Sequence, residues 1–157
     1  MMRCRRRGVT LLEMLIVLAL IGLLAGLTFP SVSSGVDTLR LSSAGTSLAS
    51  FLNGALNRAE RRQQAVEITI DLRENAVLMR STESGFERRL EMPTGVRIVS
   101  VLPPEIVESG QPRRFVVHSG GTAPRLGVEL AGNRGARRIV RIDPITGVPQ
   151  VERLAAP

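Results

Sequence analysis

Apolar residues form a nearly continuous run near the start of this chain, then recur at helical spacing, and alternate with polar residues from residue 66 onward. Residues 14–36 include no charged side chain, and between 14 and 29 only two glycines and Thr28 interrupt the apolar run. As a helix rising about 1.5 Å per residue, residues 9–30 would extend roughly 33 Å, close to the ~30 Å hydrocarbon core of a bilayer. We therefore predict a transmembrane helix over residues 9–30.

A second helical segment is predicted over residues 31–62. Proline has no amide hydrogen and clashes with the preceding turn, so Pro30 is expected to kink the helix where the two segments meet. In the second segment apolar side chains recur at spacings of three and four, which is typical of a helix with one buried face. The stripe consists of Leu41, Ala44, Leu48, Phe51, Leu52, Ala55, Leu56 and Ala59. Arg58, Arg61 and Arg62 follow, and suit the negative pole of the helix dipole.

From residue 66 onward the apolar positions alternate with polar ones, most clearly over residues 66–72. Alternation of this kind predicts a half-buried strand. Further short strands are predicted at 77–80, 86–91, 96–102, 114–118, 126–130, 138–143 and 148–152. One long helix followed by six to eight short strands predicts an α+β fold, with antiparallel sheets of a globular domain at 63–157 packed on the helix.

The charges around the first apolar segment are asymmetric. Four arginines precede it, and no comparable basic cluster follows it, which predicts a cytoplasmic N-terminus and, in a bacterium, a periplasmic C-terminal domain. These arginines are Arg3, Arg5, Arg6 and Arg7. An ordinary secretory signal is cut at small residues after its apolar stretch, whereas the best cut site here, Gly8, precedes it.

Glu13 places a carboxylate about one helical turn inside the apolar segment. A charge at mid-membrane costs roughly 2.5–3.5 kcal/mol on insertion scales, and less near the end of a span. Two interpretations stay open: the side chain reaches the lipid head groups, or it forms a salt bridge with a cation on a neighbouring subunit. Cleavage after Gly8 would create such a cation, because the new α-amino group of Val9 would lie one turn from Glu13.

The segment G-V-T-L-L-E at residues 8–13 resembles the class III signal of type IV prepilins and type II secretion pseudopilins. The resemblance implies a leader over residues 1–8, which a membrane prepilin peptidase removes by cutting between Gly8 and Val9, and methylation of the new N-terminus at Val9. It also implies that Glu13 neutralises the N-terminal amine of an adjoining subunit during assembly. Val9 departs from the pattern, since the family usually has Phe or Met there. The rest of the processing motif is Thr10, Leu11, Leu12 and Glu13.

The C-terminal part is similar to the end of the GspH/FimT group of minor pseudopilins and minor pilins. Residues 115–122 and 138–147, the latter ending in D-P-x-T-G, carry this similarity. It implies a β-sandwich-like domain on the long helix. It further implies a structural subunit at the tip of a type II secretion pseudopilus, which drives protein export across the outer membrane. The expected partners are prepilin peptidase, other major and minor pseudopilins, and inner-membrane lipid.

The alternative function is that of a minor type IV pilin, because some FimT-like pilins resemble DNA receptors in natural transformation. Clustered arginines would bind phosphates in a salt-sensitive way. The candidate DNA-binding patch is Arg134, Arg137, Arg138 and Arg141. Against it, loss of the four leader arginines lowers the formal net charge from +7 to +3, and the chain has no Trp or Tyr for base stacking.

Catalytic and metal sites find little support in the sequence. The single histidine, His118, is expected to be a surface residue, and the single cysteine, Cys4, lies in the leader, so the common zinc sites cannot be built. The glycine-rich residues 119–122 lack the lysine of a phosphate loop, and no G-x-S-x-G elbow is present. We predict that the protein is not an enzyme and uses no cofactor.

Overall fold

The computed structural model describes residues 9–81, 85–104 and 111–154, and for residues 27–34 it describes the backbone alone. One helix, α1 (Leu11–Arg62), is followed by eight strands. These are β1 (Val66–Asp71), β2 (Ala76–Ser81), β3 (Glu87–Glu91), β4 (Val96–Leu102), β5 (Arg113–Val117), β6 (Gly127–Gly132), β7 (Arg137–Ile142) and β8 (Pro149–Leu154). The predicted α+β fold is confirmed, and every predicted strand is found within two residues of its expected bounds.

Helix α1 is assigned without a break from Leu11 to Arg62, so it passes through Pro30. The kink at Pro30 stays a prediction. The helix ends where Gln63 takes a left-handed conformation with φ of 54°, and the Gln64 amide donates to the Ala59 carbonyl at 3.3 Å. Such a bond satisfies a carbonyl that a helix end would otherwise leave unpaired.

The chain divides into two units, Met1–Val36 and Asp37–Pro157. Residues 37–62 of the helix belong to the same unit as the strands. No helix among the described residues combines the length and the apolar character needed to cross a membrane.

The strands of the second unit form two four-stranded antiparallel sheets. Their orders are β3-β2-β1-β5 and β4-β6-β7-β8. Strand β1 shows the alternation that the sequence predicts, because Val66, Ile68 and Ile70 are fully buried while the residues between them are half-buried. Each such buried aliphatic side chain contributes roughly 1.5–3 kcal/mol through removal from water.

The core of this unit lies where the C-terminal half of α1 meets both sheets. Of the predicted stripe, only Leu56 is half-buried, and the other seven side chains are buried. They belong to one apolar cluster with residues of both sheets, such as Ile68 and Val128. Helix and second sheet approach closely at Gly45, where an added Cβ would lie 3.1 Å from Cγ1 of Val151 in β8.

Asn75 joins the two sheets. It occupies the turn between β1 and β2 with φ of 53°, a left-handed conformation that asparagine tolerates better than most residues. Its side-chain amide donates to the Val96 carbonyl at 2.7 Å, and its Oδ1 accepts from the Ile98 amide at 2.8 Å. Asn75 therefore pairs with edge strand β4 of the other sheet as a neighbouring backbone would.

We expect Asn75→Ala to lower the free energy of unfolding by about 3 kcal/mol, because it removes two hydrogen bonds and strains the left-handed backbone. Asn75→Gly should cost about 2 kcal/mol, since glycine accepts the conformation but forms neither bond. Urea unfolding of the full chain in detergent, followed by circular dichroism, measures both. Midpoints equal to that of the wild type would contradict the role of Asn75.

Candidate functional site at the start of the helix

The structure describes the residues that follow the predicted cleavage site. Gly8 lies outside the described residues, while Val9 and Thr10 precede Leu11, the first residue of α1. The Glu13 amide lies 3.2 Å from Oγ1 and 3.1 Å from the carbonyl oxygen of Thr10, and both oxygens accept from it. Thr10 is therefore the N-cap of α1. Its T-x-x-E spacing to Glu13 is that of a capping box, and the threonine supplies its half of that motif.

Glu13 lies in the first turn of α1 and its side chain is exposed. A carboxylate there interacts favourably with the positive end of the helix dipole, by about 0.3–1 kcal/mol. The processing motif thus also has a local structural role, because Thr10 and Glu13 fix where the helix begins. That role is compatible with the subunit contact that the resemblance implies, since the carboxylate is accessible.

An apolar surface surrounds the first part of α1. The large apolar side chains of this surface are 44–81% exposed. They are Val9, Leu11, Leu12, Met14, Leu15, Ile16, Val17, Leu18, Leu20, Ile21, Leu23 and Leu24. A helix that is hydrophobic all round is normally buried in lipid or among other helices. Two glycines, Gly22 and Gly26, have open space where a Cβ would be, so neighbouring helices could approach closely there.

The four arginines of the candidate DNA-binding patch do not share one surface. Arg137 and Arg141 lie on one face of β7, and Arg138 lies on the opposite face, because side chains alternate along a strand. The Arg138 Cδ is 3.8 Å from the position of a Cβ at Gly45, so its side chain points toward α1. Arg134, in the turn before β7, forms a 3.2 Å ion pair with Asp37.

Arg137 has a structural partner on its own sheet. Its Nη1 donates to Oε1 of Glu129 at 2.9 Å, and the Ser100 hydroxyl donates to Oε2 of the same carboxylate at 2.7 Å. The Ser100 bond, and after it Arg137, lower the pKa of Glu129. Arg137 therefore compensates the negative charge of Glu129 on its own sheet.

His118 and the glycine-rich turn after it lie near the end of α1. His118 is exposed, the Gly120 amide donates to Oε1 of Glu60 at 3.0 Å, and the Ser119 hydroxyl donates to Oε1 of Gln63 at 3.0 Å. These two hydrogen bonds connect the loop between β5 and β6 to the helix. In the described part of the chain, no group of three or more His, Cys, Asp or Glu side chains is placed to hold a metal ion.

The D-P-x-T-G segment forms the turn between β7 and β8. Oδ1 of Asp143 accepts from the amides of Ile145 at 2.8 Å and Thr146 at 3.3 Å, and the Asp143 carbonyl accepts from the Gly147 amide at 2.8 Å. Gly147 has φ of 70°, which favours glycine. The bonds from the Ile145 and Thr146 amides lower the pKa of Asp143.

The lowered pKa of Asp143 predicts how this turn responds to acid. Its carboxylate stabilises the turn fully above the ordinary pKa of about 3.8, and that stabilisation is lost as the pH falls through the lower folded-state pKa. In an NMR titration, the Ile145 amide shift should therefore change with a midpoint below 3.8. Asp143→Asn, which keeps the acceptor but cannot ionise, should remove this transition. A midpoint at or above the ordinary value would contradict the interaction.

Comparisons with known proteins bear on the helix start and on the fold. Residues 3–29 match the family described as the prokaryotic N-terminal methylation motif. No curated protein matches the sequence at a significant level. Among solved structures, the chain is similar to the minor pseudopilin EpsH from the type 2 secretion system of Vibrio cholerae. The TM-score is 0.55 and the identity 12%, and the match covers 74% of this chain and 97% of the EpsH chain.

At this level of identity the structural similarity establishes the fold. The resemblance that the sequence indicates is confirmed at residues 3–29 by the family match and in the helix and sheets by the structural match. The chain therefore carries a prokaryotic N-terminal methylation motif and has an α+β fold similar to that of the minor pseudopilin EpsH.

Proposed function

We propose that this protein is a minor pseudopilin, a non-enzymatic structural subunit of a type II secretion pseudopilus. It is anchored in the bacterial inner membrane with its N-terminus in the cytoplasm and its β domain in the periplasm. The apolar surface of residues 9–24, which lies within the methylation motif at residues 3–29, is the observation that carries this proposal. A surface of this kind is stable in lipid, and later among the helices of a filament.

Processing precedes assembly in this proposal. Prepilin peptidase cuts between Gly8 and Val9 and methylates Val9, and residues 9–30 hold the subunit in the membrane until it is incorporated. Val9 precedes α1 and is 60% exposed, which supports access of a peptidase to this position.

Glu13 sets the register of the filament in this proposal. In an apolar environment an unpaired carboxylate is costly, so contact with the N-terminal amine of a neighbouring subunit is favoured over other packings. The partners are other major and minor pseudopilins. The similarity of the fold to the minor pseudopilin EpsH of a type 2 secretion system supports assembly into a pseudopilus. The position at the tip and the part in protein export rest on the resemblance of residues 115–122 and 138–147 to the GspH/FimT group.

A FimT-like function in DNA uptake has less support. Of the four arginines considered for it, Arg134 and Arg137 form ion pairs with Asp37 and Glu129, and Arg138 points away from Arg141. Phosphate binding would need several of them to act on one surface.

We expect Glu13→Leu to leave cleavage after Gly8 intact and to abolish incorporation, because the change removes the charge that pairs with the neighbouring amine. Glu13→Gln, which keeps the size, should fail in the same way, and Glu13→Asp should retain part of the function. Co-purification with co-expressed pseudopilins after cross-linking in membranes measures incorporation, and N-terminal sequencing measures cleavage. Normal co-assembly of Glu13→Leu and Glu13→Gln would refute this role.

A further inference from the structure

A groove separates one face of α1 from the first sheet. One part, of about 410 Å³, is bounded on the helix by Thr46, Ser47, Ser50, Phe51 and Gly54, and on the sheet by Met79, Arg88 and Leu90. A second part, of about 360 Å³, is bounded by Gly54, Asn57, Arg58, Arg61 and Arg62. The two parts share Gly54, and we call them together the arginine groove. Small side chains on the helix leave room for a backbone to approach.

The charge in the arginine groove has one sign. Among the described residues that bound it, none is acidic and four are arginines. The Arg58 guanidinium stacks on the Phe86 ring at 3.4 Å from its centroid, which fixes one cation at the groove wall. Of the carboxylates that the structure describes near these residues, Glu87 pairs with Arg80 at 2.9 Å, and Glu60 accepts from the Gly120 amide. The groove therefore favours an anionic occupant.

Strand β3 forms the rim of this groove and lies at the edge of its sheet. Arg88 and Leu90 pair with Met79 and Val77, so they share the face that looks toward α1. Two backbone hydrogen bonds at the ends of the β2–β3 pair show which residues of β3 bond to β2. They run from the Ser81 amide to the Phe86 carbonyl and from the Met92 amide to the Asn75 carbonyl. Counting from these bonds, the backbone groups of Arg88 and Leu90 point to β2. Those of residues 87, 89 and 91 point away from β2.

Two registers of a second copy of β3 are disfavoured at this edge. Antiparallel pairing of two copies centred on Arg89 would place Glu87 against Glu91 and Arg89 against Arg89. Pairing centred on Arg88 would bring two arginines together over the groove. Like charges directly opposite one another destabilise a sheet. These two registers are therefore disfavoured, and the groove side of the edge suits a strand of opposite charge.

We propose that the arginine groove and edge strand β3 bind an acidic, extended segment of a partner protein. The segment adds to the sheet beside β3, so that its backbone bonds to residues 87, 89 and 91. Its inward side chains are carboxylates that face Arg88, Arg61 and Arg62 across the groove. The site lies in the unit Asp37–Pro157 and does not depend on cleavage after Gly8.

The test uses the full chain in detergent and a fluorescent synthetic peptide of alternating threonine and glutamate, with binding measured by anisotropy. Arg88→Glu should weaken binding by about tenfold or more, because it reverses a charge that faces the peptide. Arg97→Glu, an equal change at an exposed position on the other sheet, should leave the affinity unchanged. A matched peptide of threonine and lysine should not bind, and added salt should weaken the acidic peptide.

Two variants of Arg89 test whether the peptide adds to the sheet as a strand. Arg89→Pro removes an amide at the open edge without removing a bond to β2, so it should abolish peptide binding. Arg89→Ala loses the ion pairs of Arg89 with Glu74 and Glu91 but keeps the amide, and should bind as the wild type does. Circular dichroism verifies the fold of each variant.

Three results would overturn the proposal. Equal binding by wild type and Arg89→Pro would exclude strand addition, and equal binding of the lysine peptide would exclude charge recognition. Binding of tripolyphosphate that depends on Arg88, without peptide binding, would reduce the groove to a simple anion site. N-terminal sequencing of the same preparations separates these results from any failure of cleavage after Gly8.

Discussion

Burial of one stripe of α1 by two sheets is the interaction on which the rest of this structure depends. The stripe from Leu41 to Ala59 belongs to the same apolar cluster as the inner faces of both sheets. Asn75 adds a direct hydrogen-bonded link between the sheets. Because the helix is part of the core, the β domain and residues 37–62 form one unit. The helix thus serves two purposes, with an apolar surface in its first part and a packed stripe in its second.

Much of this arrangement could be predicted from local periodicity. Alternation in β1 and spacings of three and four in α1 reflect which side chains are buried, and burial is what those patterns report. The pairing of the strands could not be predicted in this way. β5 pairs with β1 and β4 with β6, and such contacts depend on segments far apart in sequence. The bonds of Asn75 to Val96 and Ile98 are likewise non-local.

The site residues also divide into those whose roles follow from local sequence and those whose roles depend on non-local contacts. The local motif at Thr10 and Glu13 was visible in the sequence, although its part in capping the helix became clear from the bonds. The splitting of Arg137 and Arg138 onto opposite faces follows from alternation along β7 and could have been predicted from the strand alone. Arg58, Arg61 and Arg62 were interpreted through the helix dipole. Their position beside Arg88 in one groove depends on where β3 lies, which the sequence does not specify.

The most direct test of the central claim is the intact mass and N-terminal sequence of the protein from membranes, with and without co-expressed prepilin peptidase. The account predicts a chain that begins at Val9 and is one methyl group heavier when the peptidase is present, and an uncut chain without it. A chain that stays uncut in both cases, or one cut beyond the apolar segment, would contradict the account. The β domain would then belong to an ordinary anchored or secreted protein.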